Sequence, residues 1–386
     1  MMKRIFASLS MLAVIATAGS ASADITIGVN LSTTGPAASL GMGEKNAISF
    51  GPSVIAGHKV RYVIYDDATD TTKAVQNIKR LTSEDKVDII IGPTTSPNSM
   101  AVIGAVAESG TPMIQLAPGP VSISAGDPKR RWIFSAPPSD DTYAAVLVDH
   151  MVKKGVKTVA VITLDDAYGE NSTNAYKRMA ERKGLKTLAI EKYKRSDTSA
   201  TAQVLHAMQG KPDAVFIVAS GTPGAMPHLA LIERGYKGKI YQSGGSANSE
   251  FLRVGGKALE GSFIMSPPVL SAEQFPEGYP GKKEALEFVK SYEAKFGPRS
   301  MFAALAWNSL KLVEATVPKA LKVAKPGTEQ FRAALRDAIE HTKGFHGAGA
   351  VITMSPTDHT GINQLGMCVV RVENGKWKLD SHADYK

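Results

Sequence analysis

The chain alternates between short apolar runs and longer segments whose apolar residues repeat with helical spacing. Ile25–Val29, Val60–Tyr65 and Val87–Ile91 have the length and the β-branched content of buried strands. Between them, Ala37–Phe50 is predicted to be helical, and Thr71–Ser83 carries its apolar residues on one helical face. Strands that alternate with helices require crossover connections. The pattern therefore predicts a parallel α/β sheet with right-handed crossovers.

The same alternation restarts after Gly119–Asp140, a stretch rich in Pro, Ser and Gly that has no periodicity. We interpret that stretch as a crossing between domains and Pro267-Pro268 as a second crossing. The order predicts two doubly wound parallel-sheet lobes joined by a three-stranded hinge. The expected divisions are an N-terminal lobe of residues 24–139 and 268–350 and a C-terminal lobe of residues 140–267 and 351–386.

The first twenty-three residues have the composition of a secretory signal peptide. Lys3 and Arg4 precede an apolar run, Ile5–Ala18, and Ala21-Ser22-Ala23 is a small-residue cleavage site. A membrane anchor would need about 20 apolar residues and no cleavage site. We therefore expect residues 1–23 to be removed and the protein to reach the periplasm.

Charge and cysteine content narrow the function classes. The formal charge of +9 over 386 residues falls to +7 without Lys3 and Arg4, and the remaining basic residues are scattered, which argues against nucleic-acid binding. The single cysteine, Cys368, lies in an apolar run, which predicts a buried structural thiol and excludes an intrachain disulfide. We expect no metal and no cofactor.

Hydroxyl-rich turns follow the predicted strands. Thr94, Thr95 and Ser96 come after the run Val87–Ile91, and this cluster, followed by Pro97, is predicted to start a helix that continues through the helix-like run Met100–Ser109. A further strand, Met113–Leu116, leads into another small-residue turn. Because ligands on parallel sheets bind outside the carboxyl ends of the strands, both turns should open onto one crevice. Hydroxyls and free backbone N–H groups there favour an anion such as a carboxylate.

Several short motifs occur in order along nearly the whole mature chain. They are Ser32-Thr-Thr-Gly-Pro36, Tyr65-Asp66-Asp67, Gly92-Pro93-x-x-Ser96 with Ala101, Pro112-x-Ile114 and Asp165-x-x-Tyr168-Gly169. Each motif alone is weak, but the ordered set is similar to type I periplasmic solute-binding proteins. These form the leucine/isoleucine/valine-binding group that feeds ABC transporters.

The resemblance implies a binding site and partners. It places the ligand carboxylate on Ser96, with Thr95 in the same hydroxyl cluster, and on backbone groups of Ala117, Pro118 and Gly119. It makes Tyr168 the contact from the far lobe, which covers the ligand when the lobes close. The implied partners are a small carboxylate ligand and the permease and ATPase of the inner-membrane transporter, and we expect a monomer.

Departures from the family pattern concern the ligand. Amino-acid binders place an acidic residue for the α-ammonium after the strand matching Lys239–Gln242, whereas this chain has Ser243-Gly244-Gly245-Ser246. An unpaired buried ammonium would be costly. Leu40 replaces a tyrosine, and Ser220-Gly221-Thr222 replaces an aromatic-bearing turn. We predict an aromatic or aromatic keto acid of the benzoate, benzoylformate or phenylpropenoid type, in contact with Leu40, Thr222, Gly245 and Ser246. A branched-chain or other amino acid is the alternative.

Other function classes stay open to different degrees. The sequence has no Gly-x-Ser-x-Gly, P-loop or His-Glu-x-x-His motif, so we expect no enzyme. A sensor that presents its ligand to a membrane receptor cannot be separated from an importer by sequence. The remaining aromatic residues at helix and strand positions are interpreted as core, among them Tyr143, Phe216, Phe263, Phe302 and Trp307.

Overall fold

The computed structural model describes residues 24–117 and 127–383. The predicted signal peptide, residues 1–23, therefore lies outside the described residues. Within the described ranges, no helix has the length and apolar character needed to cross a membrane.

Fifteen strands are described. They are β1 Ile25–Leu31, β2 Val54–Ile55, β3 His58–Asp66, β4 Ile89–Ile91, β5 Met113–Gln115, β6 Ile133–Ser135, β7 Thr158–Leu164, β8 Lys186–Tyr193, β9 Ala214–Val218, β10 Lys239–Gln242, β11 Phe263–Ser266, β12 Phe345–Gly347, β13 Ala350–Ile352, β14 Cys368–Glu373 and β15 Lys376–His382.

Twelve α-helices are described, with short 3-10 turns between some of them. They are α1 Ala38–Ile48, α2 Thr71–Ser83, α3 Ser96–Ala101, α4 Ile103–Ser109, α5 Asp140–Lys153, α6 Ala167–Arg182, α7 Thr201–Gln209, α8 Ala225–Glu233, α9 Ser249–Gly255, α10 Lys282–Phe296, α11 Met301–Ala320 and α12 Glu329–Glu340.

The strands form two main sheets, which confirms the predicted α/β class. The first lobe has a six-stranded sheet in the order β2-β3-β1-β4-β5-β6, parallel except for the short β2. The second lobe has a seven-stranded sheet in the order β15-β14-β11-β10-β9-β7-β8. In it, β14 pairs antiparallel with both of its neighbours, β11 and β15. A hairpin turn at Asn374-Gly375 joins those two strands, and both residues have positive φ.

The segment around the hydroxyl turn differs from its prediction. The single helix expected over Met100–Ser109 is wrong, because the chain forms α3 and α4 with a break at Val102. The first of these begins at Ser96, because Thr95 accepts a hydrogen bond from the Asn98 N–H and Pro97 fits the first turn. The prediction that the hydroxyl cluster and Pro97 start a helix is therefore confirmed.

The stretch predicted to be an irregular crossing contains a strand. Three of its residues, Ile133–Ser135, pair parallel to β5 and complete the edge of the first sheet as β6. A three-residue strand is too short to show periodicity, so only its neighbour in the sheet defines it. The predicted domain divisions fall after residue 139, after residue 267 and, inside β13, after residue 350. They stay a prediction.

One buried helix brings apolar residues to the cleft. Ser300 caps the helix α11 through the Ala303 N–H, and most of the helix is buried within the core. Its first turns carry Met301, Phe302 and Leu305. Elsewhere in the core, the Cys368 thiol is fully buried and donates to the Ser266 carbonyl oxygen at 3.2 Å, as expected for a structural thiol.

Candidate functional site

A cavity of about 370 Å³ lies between the lobes, at the carboxyl ends of strands from both sheets. Polar residues at its wall are Thr94, Thr95, Ser96 and Ser220. The other lining residues are Leu40, Leu116, Ala117, Tyr143, Tyr168, Gly245, Met301, Phe302 and Leu305. None of these lining residues carries a formal charge at pH 7.

The hydroxyl cluster follows directly from β4. Thr94 Oγ1 accepts from the Ser32 N–H at 3.0 Å and hydrogen-bonds Glu44 Oε2 at 2.5 Å. Thr95 caps α3, and Ser96 is its first residue, only 3% exposed. The turn is therefore held by contacts behind it, and it presents three hydroxyl-bearing residues to a mostly apolar cavity.

The carboxyl group behind this turn is neutral at pH 7. Glu44 is fully buried, and burial raises its pKa from 4.5 to about 8, although the hydrogen bond from Thr94 lowers it. A charged carboxylate at this position would repel an anion bound at the hydroxyl turn. The neutral form removes that repulsion.

Tyr168 lines the cavity, but its hydroxyl group is already hydrogen-bonded. It donates to Ser243 Oγ at 3.0 Å and accepts from the Gly245 N–H at 3.1 Å. Ser243 Oγ in turn donates to the Ala219 carbonyl oxygen at 2.8 Å. This network joins the turns after β9 and β10, so the ring of Tyr168, rather than its hydroxyl group, is what remains for a ligand.

The two lobes touch beside the cavity. Gly221 follows β9 with φ +75°, and a Cβ placed there would lie 2.9 Å from Leu40 Cδ1 and 3.2 Å from Ser39 Oγ. Leu40 and Ser39 belong to α1 of the first lobe. Leu40 therefore lines the cavity and also forms the contact between the lobes.

The structure brings most of the predicted site residues together. Ser96, Thr95, Ala117, Tyr168, Gly245 and Leu40 all line the cavity. Pro118 and Gly119 lie outside the described residues. Thr222 and Ser246 are not among the lining residues. Thr222 starts a 3-10 turn, and Ser246 Oγ donates to Gln242 Oε1 at 3.1 Å. Contact of these two with a ligand stays a prediction.

Several lining residues were not expected from the sequence. Tyr143 and Phe302 were interpreted as core aromatics, yet both line the cavity, as do Thr94, Leu116, Ser220, Met301 and Leu305. Helical spacing identifies a buried face but does not say whether that face meets protein or a ligand cavity. Among these residues, Thr94 and Ser220 alone carried a signal in the sequence, since both belong to turns that the sequence analysis names.

The described residues contain no group of three or more His, Cys, Asp or Glu side chains arranged to hold a metal ion. The site therefore consists of hydroxyl groups, backbone, apolar side chains and two tyrosine rings. Such a set can bind and orient a small molecule by burial and hydrogen bonding.

Comparisons with known proteins agree with this arrangement. The family model described as "Periplasmic binding protein" matches residues 24–376. An extracellular ligand-binding receptor from Rhodopseudomonas palustris HaA2 is 39% identical, with a TM-score of 0.89 over 93% of this chain and 100% of that chain. The Leu/Ile/Val-binding protein homolog 3 of Brucella melitensis is 24% identical over 92% of this chain and 93% of its own length.

A more distant structure shares the fold. It is an ABC transporter solute-binding protein from R. palustris in complex with benzoate, 20% identical, with a TM-score of 0.79 over 92% of this chain and 95% of that chain. The matching family model covers nearly all of the described chain, and the two-lobed fold agrees with it. This protein belongs to the periplasmic binding protein family.

Proposed function

We propose that this protein is the extracytoplasmic solute-binding component of an ABC importer and that it binds a small aromatic or aromatic keto acid. The observation that carries the proposal is the lining of the cavity between the lobes. Thr94, Thr95 and Ser96 form a hydroxyl turn from the first lobe and Ser220 adds a hydroxyl from the second. Apolar and aromatic residues form most of the rest, and none of the described lining residues is charged.

The hydroxyl end suits a single carboxylate. Hydrogen bonds to a charged group contribute roughly 1.5–3 kcal/mol each, so a few of them offset much of the cost of desolvating one anion. Thr95 and Ser96 supply hydroxyls there, and the neutral Glu44 adds no repulsion. The benzoate complex of the distant relative supports the view that this fold accommodates an aromatic acid.

The same lining argues against an α-amino acid. An α-ammonium group is bonded to the carbon next to the carboxylate, so it would lie close to the hydroxyl turn. Among the described residues, no acidic side chain lines the cavity there, and the turn after β10 is formed by Gly244–Ser246. An unpaired ammonium in a buried site is costly. The amino-acid alternative keeps some support from the Leu/Ile/Val-binding homologues.

In the proposed cycle, the acid binds the first lobe and the second lobe then closes over it. Ligand contacts from both lobes favour the closed form through its higher affinity, and a permease recognises that form. Cavity residues come from both sheets, and Gly221 meets Leu40 across the cleft, which is the contact that such closure requires. Export to the periplasm and a monomeric state are part of the proposal.

Isothermal titration of the purified mature chain tests the ligand class. We expect benzoate, benzoylformate or 3-phenylpropenoate to bind, and leucine, isoleucine and valine to give no heat. Tight leucine binding without binding of any aromatic acid would refute the proposed class and favour the amino-acid alternative. Uptake of the labelled acid by a strain lacking the gene tests the import role.

A further inference from the structure

A second cavity of about 290 Å³ adjoins the first one inside the second lobe. Tyr143 and Tyr168 line both cavities, so the two spaces share a wall made of aromatic rings. Asp140 and Ser172 line only the second cavity. Among the described residues that line either cavity, Asp140 is therefore the one acidic side chain.

Two buried polar groups at this cavity lack partners among the described residues. They are Asp140 Oδ2, in a side chain 2% exposed, and the hydroxyl group of Tyr143, 7% exposed. The other carboxylate oxygen, Asp140 Oδ1, accepts from Ser172 Oγ at 2.6 Å. Buried polar atoms in folded proteins are normally hydrogen-bonded, so an acceptor and a donor at one cavity point to a ligand group that pairs with both.

A structural role at the helix start does not explain Asp140. An acidic residue in the first turn stabilises a helix through its interaction with the helix dipole. The neighbouring Asp141 already supplies that charge, and it pairs with Arg178 of α6. Ser139 caps the helix by accepting from the Thr142 N–H at 3.2 Å. Neither task requires Asp140 to be buried beside a cavity.

The electrostatics of the pair suit a hydroxyl group. Burial raises the pKa of Asp140 from 3.8 to about 6, opposed by the hydrogen bond from Ser172 and the charge of Arg178, while Asp141 raises it further. Burial raises the pKa of Tyr143 above its usual value, with Tyr168 and Asp140 adding to the rise, so its hydroxyl group stays protonated. Asp140 can thus accept a hydrogen bond and Tyr143 can donate one.

We propose that this second cavity is the distal subsite of the binding site and that it takes a ring hydroxyl at the end of an aromatic acid opposite its carboxylate. Asp140 accepts the hydrogen bond of that hydroxyl, and Tyr143 donates to its oxygen. The inference rests on the proposed function, because the carboxylate end is assigned to the hydroxyl turn at Ser96.

The geometry favours a hydroxyl on a long ligand over an α-ammonium. The rings of Tyr143 and Tyr168 stand between Asp140 and the hydroxyl turn, whereas an α-ammonium is bonded beside the carboxylate. A ligand that reaches both ends must therefore extend past the two rings. An aromatic ring between its carboxylate and its hydroxyl group supplies that length and matches the aromatic wall.

The test compares two probes, 3-(4-hydroxyphenyl)propenoate and 3-phenylpropenoate, by isothermal titration of the full mature chain. We expect the wild-type protein to bind the hydroxylated acid about tenfold or more tightly, the scale of a hydrogen bond to a charged group. Asp140→Ala and, separately, Tyr143→Phe should each remove most of that preference, taken as the ratio of the two affinities measured in the same variant. Asp141→Asn, the matched control, should keep the preference.

The outcomes separate this inference from the proposed function. If the wild-type protein binds both acids equally, or if both variants keep the preference, the distal subsite is refuted while the aromatic-acid function stands. Tighter binding of 3-(4-aminomethylphenyl)propenoate than of the hydroxylated acid would also refute it, because the subsite would then select an ammonium group. Binding of neither acid to the wild-type protein would refute both. Tyr143→Phe keeps the test decisive if Asp140→Ala fails to fold.

Discussion

Substitution of Gly221 by alanine should weaken ligand binding by impeding the contact between the lobes. Gly221 has φ +75° and ψ −160°, a region that is nearly restricted to glycine, so any side chain there costs roughly 1–3 kcal/mol of stability in every state of the protein. The added Cβ would also lie 2.9 Å from Leu40 Cδ1, and this second cost exists only while the lobes touch.

The magnitude of the second cost follows from the contacts. Overpacking of a well-packed contact costs about 1–3 kcal/mol. Leu40 Cδ1 is the end of a flexible side chain, which lowers the cost, but Leu40 is also buried against the cavity, so its movement disturbs the ligand. We therefore expect a value near 1 kcal/mol, which weakens binding of 3-phenylpropenoate about fivefold.

Gly235→Ala is the matched control. Gly235 has φ +73°, close to that of Gly221, but a Cβ there would meet no atom within 4 Å. Urea unfolding should show a loss of stability in both variants, whereas titration should show a loss of affinity only in Gly221→Ala. Small-angle X-ray scattering should also show less ligand-induced compaction in that variant.

Two results would refute the reasoning. One is a Gly221→Ala protein that binds and compacts like the wild type, which would mean that the Leu40 contact has no role in closure. The other is an equal loss of affinity in Gly235→Ala, which would attribute the effect to backbone strain alone.

Three further predictions concern the hydroxyl turn and its surroundings. Titration should show that Ser96→Ala weakens binding of 3-phenylpropenoate roughly 10- to 150-fold, since the substitution removes a hydrogen bond to a charged group. Ser99→Ala on the same helix is the control and should leave the affinity unchanged. Equal effects of the two substitutions would contradict the assignment of Ser96 as the carboxylate contact. Tyr168→Phe should lower the free energy of unfolding by about 1–3 kcal/mol, because Ser243 and the Gly245 N–H lose a partner, and it should change the ligand affinity little. Unchanged stability with a lower affinity would instead make the Tyr168 hydroxyl group a ligand contact. Because the pKa of Glu44 rises from 4.5 to about 8 on folding, its protonation contributes stability that is fully present below pH 4.5 and is lost as the pH rises to about 8. Urea unfolding should therefore show that the free energy of unfolding of Glu44→Gln increases relative to that of the wild type from pH 5 to pH 8.5. The expected gain is up to about 5 kcal/mol, at about 1.36 kcal/mol per pKa unit. A difference that does not change with pH would show that Glu44 does not titrate in this range.

The sequence alone determined the class of the fold and the location of one end of the site. The helix α2 was predicted with its observed bounds, because Asp70 caps it through the Lys73 N–H and its apolar residues share one face. The alternation of strands and helices determined parallel sheets, and parallel sheets place the turn at Ser96 on the ligand side. These features depend on local propensity and periodicity, which a sequence displays directly.

Only the tertiary structure decided what the rest of the cavity is made of. Met301 and Phe302 lie some two hundred residues beyond Ser96 in the chain, and Tyr143 comes from the other lobe, yet all four line one cavity. Their spacing marks each of the aromatic residues as buried, but burial against protein and burial against a ligand give the same pattern. The sequence equally does not reveal that Asp140 Oδ2 and the Tyr143 hydroxyl group lack partners among the described residues, because hydrogen-bond satisfaction depends on which side chains the packed lobes bring within reach.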